Sequence, residues 1–101
     1  MHQVVYTVAA FLPDDAVRQE YVRWLQDGHT AAVVRGGALA AEVVLVLEPA
    51  APPQVITRYV FPDRAAYDRY VAEVAPALRA EGVQRFGTRG VRFERTLGTI
   101  L

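Results

Sequence analysis

A single histidine lies within the elements of this chain that can fold. His29 follows a helical pattern, whereas His2 stands at the frayed start. An imidazole titrates near pH ~6.5, so His29 is a candidate general base. A competing reading seats it at the C-terminus of the first helix, held by a backbone carbonyl and the helix dipole. That cap is the favoured reading of the two. Two histidines 27 positions apart, in a chain without cysteine, give no ligand spacing, so no metal site is expected.

Aromatic and guanidinium groups supply the other candidates. Tyr6, Trp24, Tyr59 and Phe93 fall where they can line a cavity between a sheet and its helices. An apolar pocket with a few polar tips suits a planar organic ligand, and the Tyr59 hydroxyl could orient a phenol or an enol. Ordinary core packing is the alternative, and it is preferred for the helical aromatics Tyr21, Trp24, Tyr67 and Tyr70. Arg58, Arg92 and Arg95 lie on strands, with Glu42 and Glu94 as available partners. They read either as a carboxylate clamp or as cross-strand or cross-dimer salt bridges, and the salt bridges are favoured. Asp14 and Asp15 suit a helix start better than acid–base work. Gly36-Gly37 and Gly87 read as helix ends, not as a phosphate loop.

Composition narrows the chemistry further. The 101 residues contain no Cys, Ser, Lys or Asn. Disulfides, thiolate metal sites, Ser or Cys nucleophiles, Lys Schiff bases and a P-loop lysine are thereby excluded. Eleven arginines balance eleven carboxylates, and without a basic excess nucleic acid is not an expected partner. No apolar run of about 18 residues and no leader-like start is visible, so no membrane partner and a cytoplasmic location are expected.

The elements that must position these groups repeat. Tyr21-Val22-Arg23-Trp24-Leu25, ending at Gly36, is answered 46 residues later by Tyr67-Asp68-Arg69-Tyr70-Val71, ending at Gly82. Pro13-Asp14 and Pro62-Asp63 precede the two copies as stop and N-cap signals. The expected elements are a strand over 3–11, a helix over about 14–27 with a further turn or two to Arg35, and a strand over 38–48. A Pro-rich loop over 49–53, a strand over about 54–61 and a helix opening at Pro62-Asp63 follow. That helix bends at Pro76 and runs to about Arg85, and a last strand covers 91–100. This βαββαβ order predicts one ferredoxin-like α+β domain over 1–101: a four-stranded antiparallel sheet with its helices on one face.

Both faces of that sheet are apolar in the middle. Val4, Tyr6 and Val8 oppose Val5, Thr7, Ala9 and Phe11, and Val55, Thr57, Tyr59 and Phe61 oppose Ile56, Arg58 and Val60. Ala41, Val43, Leu45 and Leu47 likewise oppose Glu42, Val44, Val46 and Glu48. Leaving Val44, Val46, Ile56 and Val60 in water forfeits roughly 1.5–3 kcal/mol apiece. A second copy of the sheet is the simplest cover, which predicts a homodimer of the dimeric α/β-barrel kind.

Several runs then resemble a known group. Trp24 and His29, Tyr59, Tyr67-x-x-Tyr70, Ala75-Pro76-Ala77-Leu78-Arg79, Arg85-Phe86-Gly87 and Phe93-x-Arg95-Thr96-Leu97 look like an uncharacterised bacterial family. Its members are about a hundred residues long and belong to the dimeric α/β-barrel superfamily. That family usually carries Glu-His with a following Ile-Pro where this chain has Gly28-His29-Thr30-Ala31. It also carries Glu-His where this chain has Glu81-Gly82. Enzymes of similar fold include cofactor-independent quinone-forming monooxygenases, muconolactone isomerase and haem-degrading oxygenases, while other members only bind small molecules. The resemblance implies no cofactor and no specific activity. The leading expectation is a small-molecule binding protein with Tyr6, Trp24, His29, Tyr59, Phe93 and Arg95 as ligand-binding candidates. A cofactor-independent oxygenase or isomerase with His29 as base, and a structural dimer without ligand, stand beside it.

Overall fold

The first apolar run becomes the centre of a sheet. In the computed structural model, which describes residues 2–101, β1 (Val4–Phe11) alternates strictly between buried and half-buried side chains. Its β-branched and aromatic residues favour extended backbone, and alternate residues face opposite sides. β3 (Gln54–Phe61) and β4 (Arg92–Thr99) flank it antiparallel, and β2 (Ala40–Leu45) pairs with the far edge of β3. The order is β2-β3-β1-β4. Helices α1 (Asp15–Trp24) and α2 (Thr30–Arg35) join β1 to β2, and α3 (Arg64–Glu73) and α4 (Ala75–Phe86) join β3 to β4. This is the ferredoxin-like arrangement, with the sheet open at β2 and β4.

The repeated Pro-Asp signals start helices in the same way. Asp14 accepts from the Val17 N–H and Asp63 from the Ala66 N–H, both at 2.8 Å, in extended backbone. Pro76 occupies the first turn of α4, where its missing N–H costs nothing, so the bend falls where expected. Two boundaries differ from expectation. α1 ends at Trp24, because Asp27 (φ −95°, ψ 52°) and Gly28 (φ 109°) leave the helical region. Gly28 therefore breaks the helix instead of extending its apolar stripe, using the left-handed backbone that glycine tolerates. β2 is shorter than 38–48: pairing fades after the Val46 N–H reaches the Gln54 carbonyl, and Pro49, Pro52 and Pro53 offer no donors to continue it. Gly36 does end α2, but Gly82 lies inside α4.

The helix-facing side of the sheet holds the core. Val4, Tyr6, Val8 and Ala10 meet Val55, Thr57, Tyr59 and Phe61, covered by Val33, Tyr70 and Ala75 toward one end and Tyr21, Leu25 and Phe86 toward the other. The opposite face keeps Val5, Ala9, Phe11, Ile56 and Val60 only half-buried and Val44 exposed. Both faces are apolar, as the strand patterns predict.

Gly36, at the end of α2, lies against Tyr70 of α3 and the Val74 that follows it. A Cβ there would meet Val74 Cγ1 at 3.0 Å, Val74 Cγ2 at 3.2 Å and the Tyr70 ring at 3.1 Å. Rotating Val74 removes one methyl from that Cβ and leaves the other against it. Gly36→Ala is expected to destabilise the fold by about 1–3 kcal/mol. In a thermal melt this lowers Tm by several degrees, at about 4–8 °C per kcal/mol.

Candidate functional site

The site is assembled from a helix end, a kink and an inner strand. α1 buries Val17 and Tyr21 and brings Trp24, half-buried, to its last turn. The Gly28 kink then turns the chain so that the His29 ring lies on the Trp24 ring, with centroids 4.0 Å apart and planes at 27°. Trp24 Nε1 donates to Glu81 on α4 at 2.9 Å. Gly82 lets this happen: a Cβ there would stand 3.3 Å from Trp24 Cη2.

From below, β1 contributes Tyr6. Its ring stacks on Tyr59 at 5.9 Å and touches Tyr67 and Tyr70 at 5.4 and 6.2 Å. Its hydroxyl accepts from Arg95 Nε at 3.1 Å and from Arg79 Nη2 at 3.3 Å. Between this hydroxyl and the Trp24–His29 stack lies a cleft with a water-accessible volume of about 40 Å³. That volume takes a water or two, or one small functional group of a larger molecule.

All six ligand-binding candidates, Tyr6, Trp24, His29, Tyr59, Phe93 and Arg95, line this one cleft. Sequence reasoning gave no site role to Arg79, Tyr70 and Gly82, which line it too. Arg79 carried a usable signal, since it falls at helical spacing among the buried Ala75, Gly82 and Phe86. Among the strand arginines, Arg58 pairs with Glu42 across β2 and β3, and Arg92 pairs with Glu94 along β4. Arg95 does not join them: it faces the helix side and bonds a phenol. Among the described residues Arg18, Arg58, Arg64, Arg89 and Arg92 each have a carboxylate partner, whereas Arg79 and Arg95 have none, nor do the exposed Arg23, Arg35, Arg69 and Arg85.

Two buried polar atoms are left over. His29 Nδ1 and Arg79 Nε are shut from water with no hydrogen-bond partner. The expected carbonyl cap at His29 does not form: Gly28 ends the first helix before it, His29 stands at the start of α2, and its Nδ1 has no hydrogen-bond partner. Burial pushes the imidazole pKa below its ordinary value, with Glu81 pulling weakly the other way. His29 is therefore neutral at pH 7. Burial also pushes the hydroxyls of Tyr21, Tyr59 and Tyr70 above the usual phenol range, so they remain neutral donors. Among the described residues no three or more His, Asp or Glu side chains converge on a metal-sized site. The cleft thus offers a neutral base, phenolic donors and two cations without counter-charge.

The model of the family described as "Domain of unknown function (DUF4286)" matches residues 3–100. The chain belongs to that family. The resemblance to an uncharacterised family is thereby borne out. No curated protein matches the chain in sequence. Among solved structures, a dimeric ferredoxin-like protein from an uncultured marine organism has a TM-score of 0.85 at 13% identity, over 100% of this chain and 97% of that one. SnoaB, a cofactor-independent oxygenase from Streptomyces nogalater, has a TM-score of 0.67 at 16% identity, over 100% and 95%. A monooxygenase of Streptomyces coelicolor in complex with nanaomycin D has a TM-score of 0.76 at 15% identity, over 99% and 88%. At these identities the likeness establishes a shared fold, the ferredoxin-like one, for this DUF4286 chain.

The depressed His29 pKa makes a prediction about acid stability. The unfolded chain takes up a proton near pH ~6.5 while the folded one still excludes it, so unfolding gains protons and stability falls as pH drops. The loss should begin near pH ~6.5 and be complete once pH passes below the folded-state pKa. His29→Gln should flatten that segment of the profile, measured as urea midpoints at pH 7.5, 6.5, 5.5 and 5.0.

Proposed function

We propose that the cleft binds a small planar organic molecule, and that the working unit is a homodimer in the bacterial cytoplasm. The observation carrying this reading is the pair of buried, unpartnered polar atoms, His29 Nδ1 and Arg79 Nε, on one aromatic-walled space. Buried polar groups are ordinarily satisfied, and a ligand supplies the missing partners. The walls are rings and the polar atoms few, which is the pattern of small-molecule sites. A whole ring needs more room than the cleft gives, so Val83, 57% exposed, and the exposed Arg95 side chain must swing aside to admit it. The protein functions without a resident metal or cofactor in this reading.

Catalysis is a second reading, supported by the state of His29. A neutral imidazole with a free Nδ1 can take a proton from an activated C–H or phenol of the bound molecule. The electron pair left behind would reside on a ligand oxygen, within the field of Arg79 and Arg95, while the imidazolium is compensated by Glu81. Cofactor-independent oxygenation or isomerisation both begin with such a step. The structural neighbours SnoaB and the nanaomycin-bound monooxygenase lend this reading support by fold alone.

Thermal melts with a panel of planar phenols and quinones test the binding reading. A binder should raise Tm of the wild type and fail to do so in Gly82→Leu, whose side chain displaces the Trp24 indole that walls the cleft. Equal stabilisation of both variants refutes the cleft as the site. For the catalytic reading, a compound consumed by the wild type should bind His29→Ala yet turn over at least 100-fold more slowly, given the ~10²–10⁴-fold worth of a general base. Unchanged turnover removes His29 from the chemistry.

The dimer reading rests on the helix-free face, where Val5, Phe11, Val44, Ile56 and Val60 remain partly open to water. Sheet-to-sheet packing of two copies buries them. Light scattering should give twice the 11.2 kDa chain mass. Ile56→Asp, at the centre of that face, should give the monomer.

A further inference from the structure

We infer that the molecule held in this cleft is an organic carboxylate, whose carboxylate group sits between the Tyr6 hydroxyl, Arg79 and His29. This deepens the binding reading above and rests on it. The argument starts from charge. A guanidinium stays protonated at any physiological pH, so Arg79 and Arg95 bring two fixed positive charges to one phenolic oxygen. Among the described residues neither has a carboxylate within salt-bridge reach. The other groups on the cleft, Tyr59, Tyr70, Thr57 and the neutral His29, carry no negative charge. Glu81, whose charge reaches His29, accepts from the Trp24 indole and does not line the cleft. Arg95 is exposed and water screens its charge, but Arg79 is half-buried with its Nε shut from water, and an entering anion supplies the partner that atom lacks.

Geometry selects the kind of anion. Tyr6 accepts from both arginines, so its own proton points elsewhere, and no hydrogen bond donated by it is seen among the described residues. Arg79 Nε–H is likewise unspent. These are two donors on one small space, and a carboxylate presents two oxygens in one plane to receive them. The volume of about 40 Å³ fits that group and excludes a ring. The body of the acid then lies outward along Val83 and Arg95, where α4 leaves the cleft side of β4 uncovered and Arg95 exposed. A neutral ligand would satisfy the donors and leave both charges unanswered.

The single tryptophan of the chain stands on this cleft, so its fluorescence reads occupancy directly. Benzoate, benzamide and inorganic phosphate are titrated at pH 7.5 and low salt into the wild type, Arg79→Met, Arg95→Met and the surface control Arg64→Gln. The expected result is saturable quenching by benzoate, at least ten-fold weaker binding of benzamide and of phosphate, and loss of about ten-fold or more in benzoate affinity in each of the two cleft variants. Arg64→Gln should match the wild type. Benzamide binding as well as benzoate overturns the anion requirement while leaving the cleft as a binding site. Phosphate binding as well as benzoate overturns the carboxylate class. Benzoate affinity unchanged in both Arg79→Met and Arg95→Met overturns the clamp. No response to any of the three probes overturns the inference, and the phenol and quinone melts then decide the binding reading by themselves. The wild-type comparison of benzoate with benzamide does not depend on how well any variant folds.

Discussion

The polar tip of Tyr6 is the constraint around which the site is organised. β1 is one of the two inner strands, so every second side chain faces the helices and is committed to the core, and Tyr6 is 3% exposed. Its ring belongs there, among Tyr59, Tyr67 and Tyr70. Its hydroxyl does not, and leaving it bare would cost on the order of 1–3 kcal/mol. The chain answers from two directions, with Arg79 from α4 and Arg95 from β4. Satisfying one neutral hydroxyl thus draws two charges toward an aromatic interior. A core problem solved this way leaves a charged cleft behind it.

The second wall depends on backbone. Trp24 could close the helix side alone, but the chain beyond it breaks helical geometry at Asp27 and Gly28 before resuming at Thr30. The break brings His29 back over the indole, and the 4.0 Å stack shields the imidazole from water. Gly82 on α4 leaves room for the same indole. Two glycines on different helices therefore set where one ring lies, and that ring sets the environment of the histidine. The lowered His29 pKa is the electrostatic trace of this packing.

Much of the fold was legible because its signals are local. Period-two runs mark the strands, and Asp14 and Asp63 mark helix starts that the hydrogen bonds reproduce. Apolar residues on both strand phases mark the uncovered sheet face in the sequence itself. The site was half legible. Aromatics and Arg95 could be placed by strand phase, yet Arg79 enters only as the end of the Ala75–Arg79 run and takes no site role, since an arginine on a helix is ordinarily solvated and only its spacing from Ala75, Gly82 and Phe86 betrays it. His29 was read as a cap because a helix was carried up to it. A positive φ at Gly28 cannot be told from a helical glycine by periodicity alone. The volume of the cleft was out of reach, since it depends on side-chain tips and not on residue types.

β4 shows how one strand can serve two surfaces without conflict. Phe93, Arg95 and Leu97 point to the helix side, where Phe93 and Arg95 line the cleft. Arg92, Glu94 and Thr96 point to the open face, where Arg92 pairs with Glu94 and lies 4.1 Å over the Phe11 ring. That pattern accounts for two arginines only three positions apart with opposite duties. The odd-numbered one is free to meet an anion, and the even-numbered one is already neutralised and covers an aromatic face. The antiparallel register, with Tyr6 opposite Leu97 and Phe11 opposite Arg92, keeps the two duties apart. A slip of one residue would turn Arg95 to the open face and bring Glu94 beside Tyr6. The clamp would then hold a carboxylate of its own, and the cleft would lose the unanswered charge that distinguishes it. Register in this edge strand is therefore as much a determinant of the site as any side chain lining it.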